Sequence, residues 1–341
     1  MNIVLDAMGG DQAPAVTVEG AVRAARSLED ATVTLVGRED AINRELAKHN
    51  ATGLDLPVVN AGEVIEMDEH PAGAVRAKKD SSMVVGMELV RRGTADAFVS
   101  AGNTGGVLAA ALFHLGRIKG VKRPALSTIF PTRSGHCFVL DVGANADVKP
   151  AYLHQFAIMG AAYAELVLGF QNPRVGLVSN GEEPGKGSQL VQEAFELLAN
   201  SDLNFIGNVE GKDIPRGLAD VVVTDGFTGN VIIKLSEGVA GLLMEIMEEE
   251  IRRRPLAMAG AVLSKGAFGA VKGRLDYRKY GGGALLGVDG VVIVGHGRSD
   301  ATAIARAIEV AHQAVQQNVV EAIRLGISRV ESELSKPRSD S

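Results

Sequence analysis

A lysine flanked by glycines, Lys186, stands in the turn Asn180-Gly181-Glu182-Glu183-Pro184-Gly185-Lys186-Gly187, just before a helical pattern. Unpaired backbone N–H groups at a helix start carry the positive end of the dipole, so the turn suits an anion of phosphate size. A second turn, Asp225-Gly226-Phe227-Thr228-Gly229-Asn230, joins the apolar run 221–224 to a long helical pattern at 231–254. It places a carboxylate, a hydroxyl and an amide where strand meets helix. Asn103, Asn145, Asn180 and Asn230 all stand in such turns, as neutral donors for an oxyanion. Asp6, Asp141 and Asp225 end strands where a carboxylate could orient a lysine or histidine. His296 sits between two glycines at another strand end, and Lys149 and Lys234 add positive charge nearby in sequence. Each residue also has a plainer use, because Asp and Asn cap helices and turns favour Gly, Asn and Asp.

The elements that must position these residues follow from periodicity. Short β-branched runs at 2–7, 31–37, 56–60, 96–101, 125–130, 136–142, 174–179, 205–209 and 221–224 alternate with helical patterns. Residues 285–288 and 291–294 form a hairpin around Asp289-Gly290. One unbroken helix is expected at 74–92 and another from 300 to about 325. Such alternation gives a three-layer α/β/α fold with a mostly parallel sheet. Strand ends carry small polar turns at 6–11, 100–104, 141–147, 179–186, 224–230 and 296–300. Ligands of open α/β sheets sit outside the carboxyl ends of the strands, so one composite site lined by these turns is expected.

Composition narrows the function. The 341 residues are 46% hydrophobic but only 4% aromatic, so the core is aliphatic, as strands buried on both faces require. The chain reads as a single large α/β catalytic domain over 1–330, with a flexible polar tail at 331–341. Its one cysteine, Cys137, excludes an internal disulfide, suits a reducing cytosol and reads as a buried, inert thiol. The first residues lack the basic region of a secretion signal, and no run reaches the roughly 18 apolar residues of a membrane span. A net charge of -6 argues against a nucleic-acid partner. The turn GEEPGKG (181–187) is one residue short of a Walker A loop, and no G-x-G-x-x-G opens a helix after a strand. No paired metal ligands and no nucleophile elbow stand out, so neither a metal nor a cofactor is expected. What remains is a reaction in which one substrate attacks the other.

Taken in order, the turns also carry a likeness. LDAMGGDQAP (5–14), KKDSSM (78–83), SAGNTGG (100–106), DVGANADVKP (141–150), GEEPGKGS (181–188), VTDGFTGNV (223–231) and GHGRSD (295–300) closely resemble the PlsX-type phosphate acyltransferases. The resemblance covers essentially residues 1–330. It implies transfer of a long-chain fatty acyl group from acyl carrier protein to inorganic phosphate, giving acyl phosphate for phospholipid synthesis. It also implies a fold similar to phosphotransacetylases and isocitrate-dehydrogenase-like proteins, a homodimer, and a cytoplasmic enzyme held peripherally at the inner face of the membrane. One departure stands at Pro184-Gly185, where the family has acidic or aliphatic residues before the lysine, and it bears on the shape of that turn. On this footing Lys186 is expected to bind phosphate with Asn180, Gly181, Gly185 and Gly187, while Asn230 and Asn103 hold the oxyanion. His296 and Asp225 would orient groups or move a proton, and Thr228, Gly229, Asp6 and Asn145 would complete the substrate site.

Residues 252–274 are apolar with basic flanks, yet too short and too broken by Gly260, Gly266 and Gly269 to span a bilayer. Leu256, Val262 and Phe268, with Arg253 and Lys272, suit an interfacial helical hairpin on anionic lipid. They suit equally a helix pair at a dimer interface, or a dock for the acidic carrier protein. The nearest rival activity is a phosphotransacetylase using short-chain acyl-coenzyme A. A decarboxylating dehydrogenase would need a nicotinamide site and an aspartate metal cluster, and a binding module would not need so many polar turns.

Overall fold

The computed structural model describes residues 1–275 and 280–334, without the side chains of Lys272, Leu275 and 331–334. Its strands, in chain order, are β1 (Asn2–Asp6), β2 (Thr32–Gly37), β3 (Val58–Asn60), β4 (Ala97–Ser100), β5 (Ala125–Thr132), β6 (Gly135–Leu140), β7 (Val175–Val178), β8 (Phe205–Val209), β9 (Val221–Val223), β10 (Gly283–Leu286) and β11 (Val291–Val294). They form one sheet in the order β3-β2-β1-β4-β11-β10-β5-β6-β9-β7-β8. The β-branched runs form these strands because Val and Ile, stiff at χ1, pack well on a pleated surface buried on both faces.

The sheet is parallel in two blocks, β3-β2-β1-β4-β11 and β6-β9-β7-β8. Between them β10 pairs antiparallel with both β11 and β5, and β5 pairs antiparallel with β6. The second block therefore runs opposite to the first, a reversal that no local pattern announces. Register decides the consequence. Ala284 pairs with Ile293, Leu285 with Leu126 and Ser127 with Leu140. The last residues of β11 and β6, approaching from opposite directions, thus lie within a rung of each other in the middle of the sheet.

Helices α1 (Ala15–Ser27), α6 (Pro150–Leu166), α7 (Gln189–Ala199), α11 (Ala301–Gln316) and α12 (Val319–Leu334) share one continuous core with both blocks on one face. The opposite face is interrupted. There α3 (Pro71–Ala77), α4 (Ser82–Arg91) and α5 (Thr104–His114) cover the first block, and α8 (Gly226–Arg252) reaches the second through Ile232. Between α5 and α8 the middle of the sheet is left open. A short helix α2 (Glu39–Leu46) borders the first block, and α9 (Pro255–Leu263) and α10 (Lys265–Leu275) follow α8.

Three expectations are corrected. The helix expected at 74–92 is two helices, because Ser81 caps α4 by accepting the Val84 N–H. The long helix after Asp300 divides at Asn318, which takes the left-handed conformation at φ 51° that asparagine tolerates better than most residues. The second half then runs to Leu334, into the segment read as tail, and residues 335–341 lie outside the described residues. The third concerns the turn at 225–230, which is mostly the first turn of α8. Asp225 is its N-cap and accepts from the Thr228 N–H at 2.8 Å and from the Thr228 hydroxyl at 2.7 Å.

Candidate active site

Where the sheet is uncovered lies a cavity of about 470 Å³. The end of β11 contributes Val294, Gly295 and His296, the start of α5 contributes Thr104, and the end of β6 contributes Val142 and Gly143. Asn230, Ile233, Lys234 and Glu237 come from one face of α8. The β5 backbone brings Leu126, Ser127, Thr128 and Ile129. Apolar and polar walls meet here, as in sites that must hold both a chain and a reacting polar group.

Charged side chains gather around His296 at one wall of this cavity. Burial, then the positive charges of Arg298 and Lys234, hold the His296 imidazole below its usual range, against smaller opposing pulls from Glu237 and Asp11. Burial is the larger cause, and the two cations add to it. Lys234 and Arg298 both approach Glu237, at 3.7 and 3.2 Å, so one carboxylate holds two cations at the rim.

A second hollow of about 310 Å³ lies across α8. Its lining includes Ser179, Asn180, Gly187, Ser188, Asp225 and Thr228, with Leu177 and Leu190 among its apolar residues. The Ser179 hydroxyl is buried there without a partner. Thr228 and Asn230 are two residues apart on one helix and face opposite sides. The turns gather in two groups, one at each block, and the larger cavity draws on both, with Thr104, Gly295 and His296 from the first and Val142, Gly143 and Asn230 from the second. Those at 6–11, 100–104 and 296–300 gather at the first block, where the Asp11 N–H meets the Gly297 carbonyl at 2.8 Å and the Gly295 N–H meets Ser100 at 2.8 Å. Those at 141–147, 179–186 and 224–230 gather at the second, where the Gly226 N–H meets the Asn145 carbonyl at 2.7 Å.

Of the residues singled out in the sequence, Asn230 and His296 meet in the larger cavity, while Asn180, Gly187, Asp225 and Thr228 meet in the smaller hollow. Lys186 is exposed on its turn and lines neither; its stem lies against Gly181, and the neighbouring Gly185 carbonyl accepts from Gln192 at 2.9 Å.

Several other candidates are committed to the backbone. The Asn103 amide donates to the carbonyls of Glu66, Met67 and Glu69 at 3.2, 3.1 and 3.2 Å, and its oxygen caps α5 through Gly106. Asn145 donates to the Pro124 carbonyl and to Asp141, at 2.7 and 2.8 Å. Asp141 is fully buried and accepts from the N–H groups of Leu126, Gly143, Ala144 and Asn145. Asp6, also buried, accepts from Ser100 at 2.7 Å and from the Met8 N–H. Burial pushes both carboxyls up, while these hydrogen bonds pull the other way. Among the described residues, the hydrogen bonds to Asp6, Asp141 and Asp225 come from backbone N–H groups, hydroxyls and the Asn145 amide rather than from the lysine or histidine expected, and the three acids shape turns. Gly229 serves packing, since a Cβ there would stand 1.9 Å from the Asp141 carbonyl oxygen. Cys137 is buried, and burial pushes its thiol up to about 12.

Sequence reasoning missed Met67, Thr104, Ser127, Thr128 and Tyr280, all of which line the larger cavity. Ser127 and Thr128 read as ordinary strand residues, and only the pairing of β5 between opposed blocks brings them to the site. Among the described residues, Glu182, Glu210 and Asp213 have the spacing of metal ligands. Lys212 pairs with Glu210 and approaches Glu182 at 3.7 Å, and Arg216 approaches Asp213 at 3.5 Å, so each of the three carboxylates already faces a cation.

The chain's relatives agree with one another. A family model described as fatty acid synthesis protein matches residues 1–322. A phosphate acyltransferase of Geotalea uraniireducens is 51% identical, over 94% of this chain and 92% of its own length. One from Pelotomaculum thermopropionicum is 50% identical over 97% and 96%. Among solved structures, a phosphotransacetylase from Streptococcus pyogenes superposes with a TM-score of 0.61 at 20% identity, covering 93% of this chain and 94% of its own. The EutD phosphotransacetylase from Staphylococcus aureus gives 0.60 at 17% identity, over 92% and 94%. At these identities the structural likeness concerns the fold alone.

Proposed function

The chain belongs to the fatty acid synthesis protein family and is a phosphate acyltransferase, and we propose that it moves a long-chain fatty acyl group from acyl carrier protein to inorganic phosphate. The observation that carries this reading is the mid-sheet cavity, where apolar residues, polar donors and Lys234 line one hollow. Phosphate enters between the start of α5, His296 and Lys234. One of its oxygens attacks the thioester carbonyl, the carbonyl oxygen takes the charge beside the Asn230 amide, and the carbon–sulfur bond breaks to release the carrier thiolate. A thiolate leaves readily, so positioning and oxyanion stabilisation supply most of the rate. Neutral His296 fits the role of a hydrogen-bonding partner to phosphate.

Lys186 enters this proposal as a cation on the far side of α8 that raises the local concentration of phosphate. Lys186→Ala is expected to raise the phosphate KM; an unchanged KM and kcat would remove it from the mechanism. The reaction itself is tested by thiol release from palmitoyl carrier protein with and without phosphate, acyl phosphate being trapped by hydroxylamine. Phosphate-dependent release with trapped hydroxamate is expected, whereas release indifferent to phosphate would mean a thioesterase.

We also propose a homodimer and peripheral membrane association. Leu235, Val239, Leu242 and Ile246 recur at helical spacing along α8 and are exposed, a seam suited to a second copy. Beyond it Leu256, Val262 and Leu263 are 90%, 74% and 89% exposed, too apolar for open water as a group. Phe268 is half-buried, and the side chain of Lys272 lies outside the described residues. No described helix is long and apolar enough to cross a membrane. Liposome co-sedimentation of a Leu256→Glu, Phe268→Glu protein is expected to show lost binding, and unchanged binding would discard the membrane proposal.

A further inference from the structure

The segment between β3 and α3 forms part of the cavity's rim although it belongs to no helix or strand. It is fixed from two directions. Lys78, from the motif at 78–83, donates to the Val64 carbonyl at 2.7 Å and to Glu69 at 2.6 Å, and Glu69 in turn accepts the Glu66 N–H at 2.8 Å. From below, the Asn103 amide reaches the carbonyls of Glu66, Met67 and Glu69, and Ile65 is buried in the core of the first block. On this fixed backbone stands a side chain the fold does not bury. Met67 is 50% exposed and lines the cavity with Thr104, His296 and Gly297. Its terminal methyl lies 3.0 Å from where a Cβ on Gly297 would stand, so the glycine leaves room for it.

The placement matters because of what shares the cavity with it. Leu126, Ile129, Val142, Ile233 and Val294 line the same cavity, and its polar donors include Asn230, Lys234 and His296. Phosphate and the amides of a carrier arm are matched by the donors. Methylenes are matched by the apolar floor and by an unbranched thioether that adapts its shape to what it covers.

We propose that Met67 covers the acyl chain where it leaves the reacting centre and determines which chain lengths are taken, with Lys78 and Asn103 as the positioning residues that hold its backbone. This inference rests on the acyl-transfer reading above. It is tested with Met67→Ala, Met67→Lys and Met67→Leu proteins, assayed for phosphate-dependent acyl phosphate from carrier protein bearing hexadecanoyl or butanoyl chains. The ratio of kcat/KM for the long chain over the short is expected to fall about tenfold in Met67→Ala, roughly the worth of two buried methylenes. It should fall further in Met67→Lys and be restored in Met67→Leu. Equal losses on both chains, or an unchanged ratio, would overturn the inference while leaving the acyl-transfer reading intact. If the wild-type protein made no acyl phosphate from either carrier, both would fall together.

Discussion

At its first turn α8 is packed so tightly that a Cβ on Gly226 or Gly229 would stand 2.6 or 1.9 Å from a backbone oxygen, whereas Gly238 and Gly241, farther along the same helix, have nothing within 4 Å. The head is held by its own chain: Asp225 caps it, the Asn145 carbonyl receives the Gly226 N–H, and Asp141 fixes the turn beneath. The tail is held by almost nothing. Its apolar seam and the helices α9 and α10 leave Leu242, Leu256 and Leu263 exposed. The difference separates two tasks in one element. The head places Asn230 against a fixed sheet, as its proposed oxyanion role requires, and the tail presents an exposed apolar side, as the proposed dimer or membrane contact requires.

The strongest way to break this comparison is at Gly229. In Gly229→Ala the new methyl overlaps the Asp141 carbonyl, and neither backbone can yield without opening the turn. A loss of about 3 kcal/mol or more is expected from overpacking backbone against backbone, read as a lower denaturant midpoint. A wild-type midpoint would mean that the head is not tightly packed in solution. Next in size is Asn230→Ala. Asn230 is exposed in the cavity rather than packed, so stability should hardly change while kcat falls on the order of 10²-fold, the usual cost of one oxyanion donor. A kcat within about threefold of wild type would remove Asn230 from that role.

Much of this contrast was legible in the sequence, and its limits have physical causes. The β-branched runs, the hairpin at Asp289-Gly290 and the helical stripe after residue 230 are local signals, and each became an element close to its expected bounds. The direction of the second block was not legible, because strand direction is set by crossovers and by pairing between distant residues, as between Ser127 and Ala284, 157 residues apart, and not by any window. The polar turns were visible as turns. Whether an amide points at a ligand or at its own backbone was not: Asn103 and Asn230 read alike, yet one is spent on three carbonyls and the other opens into the cavity. Met67 escaped notice because a lone methionine in a loop carries no pattern until its neighbours are fixed.

A smaller effect sharpens the other half of the comparison. In Gly241→Ala the methyl meets nothing within the chain and replaces the residue most costly to order in a helix. The monomer should gain about 0.5–1 kcal/mol. If a second copy packs closely on the seam, the same methyl would instead weaken association, so melting temperature should be read at low and high protein concentration. A gain at both concentrations would place the dimer contact away from Gly241.

The smallest effect is expected at Arg254. It pairs with Glu250 at 2.7 Å, one helical turn back, and Arg253 and Arg252 pair likewise with Glu249 and Glu248 at 2.5 Å each. Arg252, Arg253 and Arg254, which read as a basic flank in sequence, thus each face a glutamate of the preceding turn. Such exposed pairs contribute little, so Arg254→Ala should cost no more than about 0.5 kcal/mol. The consequence lies in binding rather than stability. Lipid phosphates can attract these arginines only by displacing glutamates, so electrostatics add little at first contact and the apolar residues at 256, 262 and 263 must supply most of the affinity. Vesicle binding by Arg254→Ala should accordingly stay within about twofold of wild type at physiological salt, where surface charges are already screened. A much larger loss would show that the basic side chains, not the apolar ones, hold the tail of α8 to its partner.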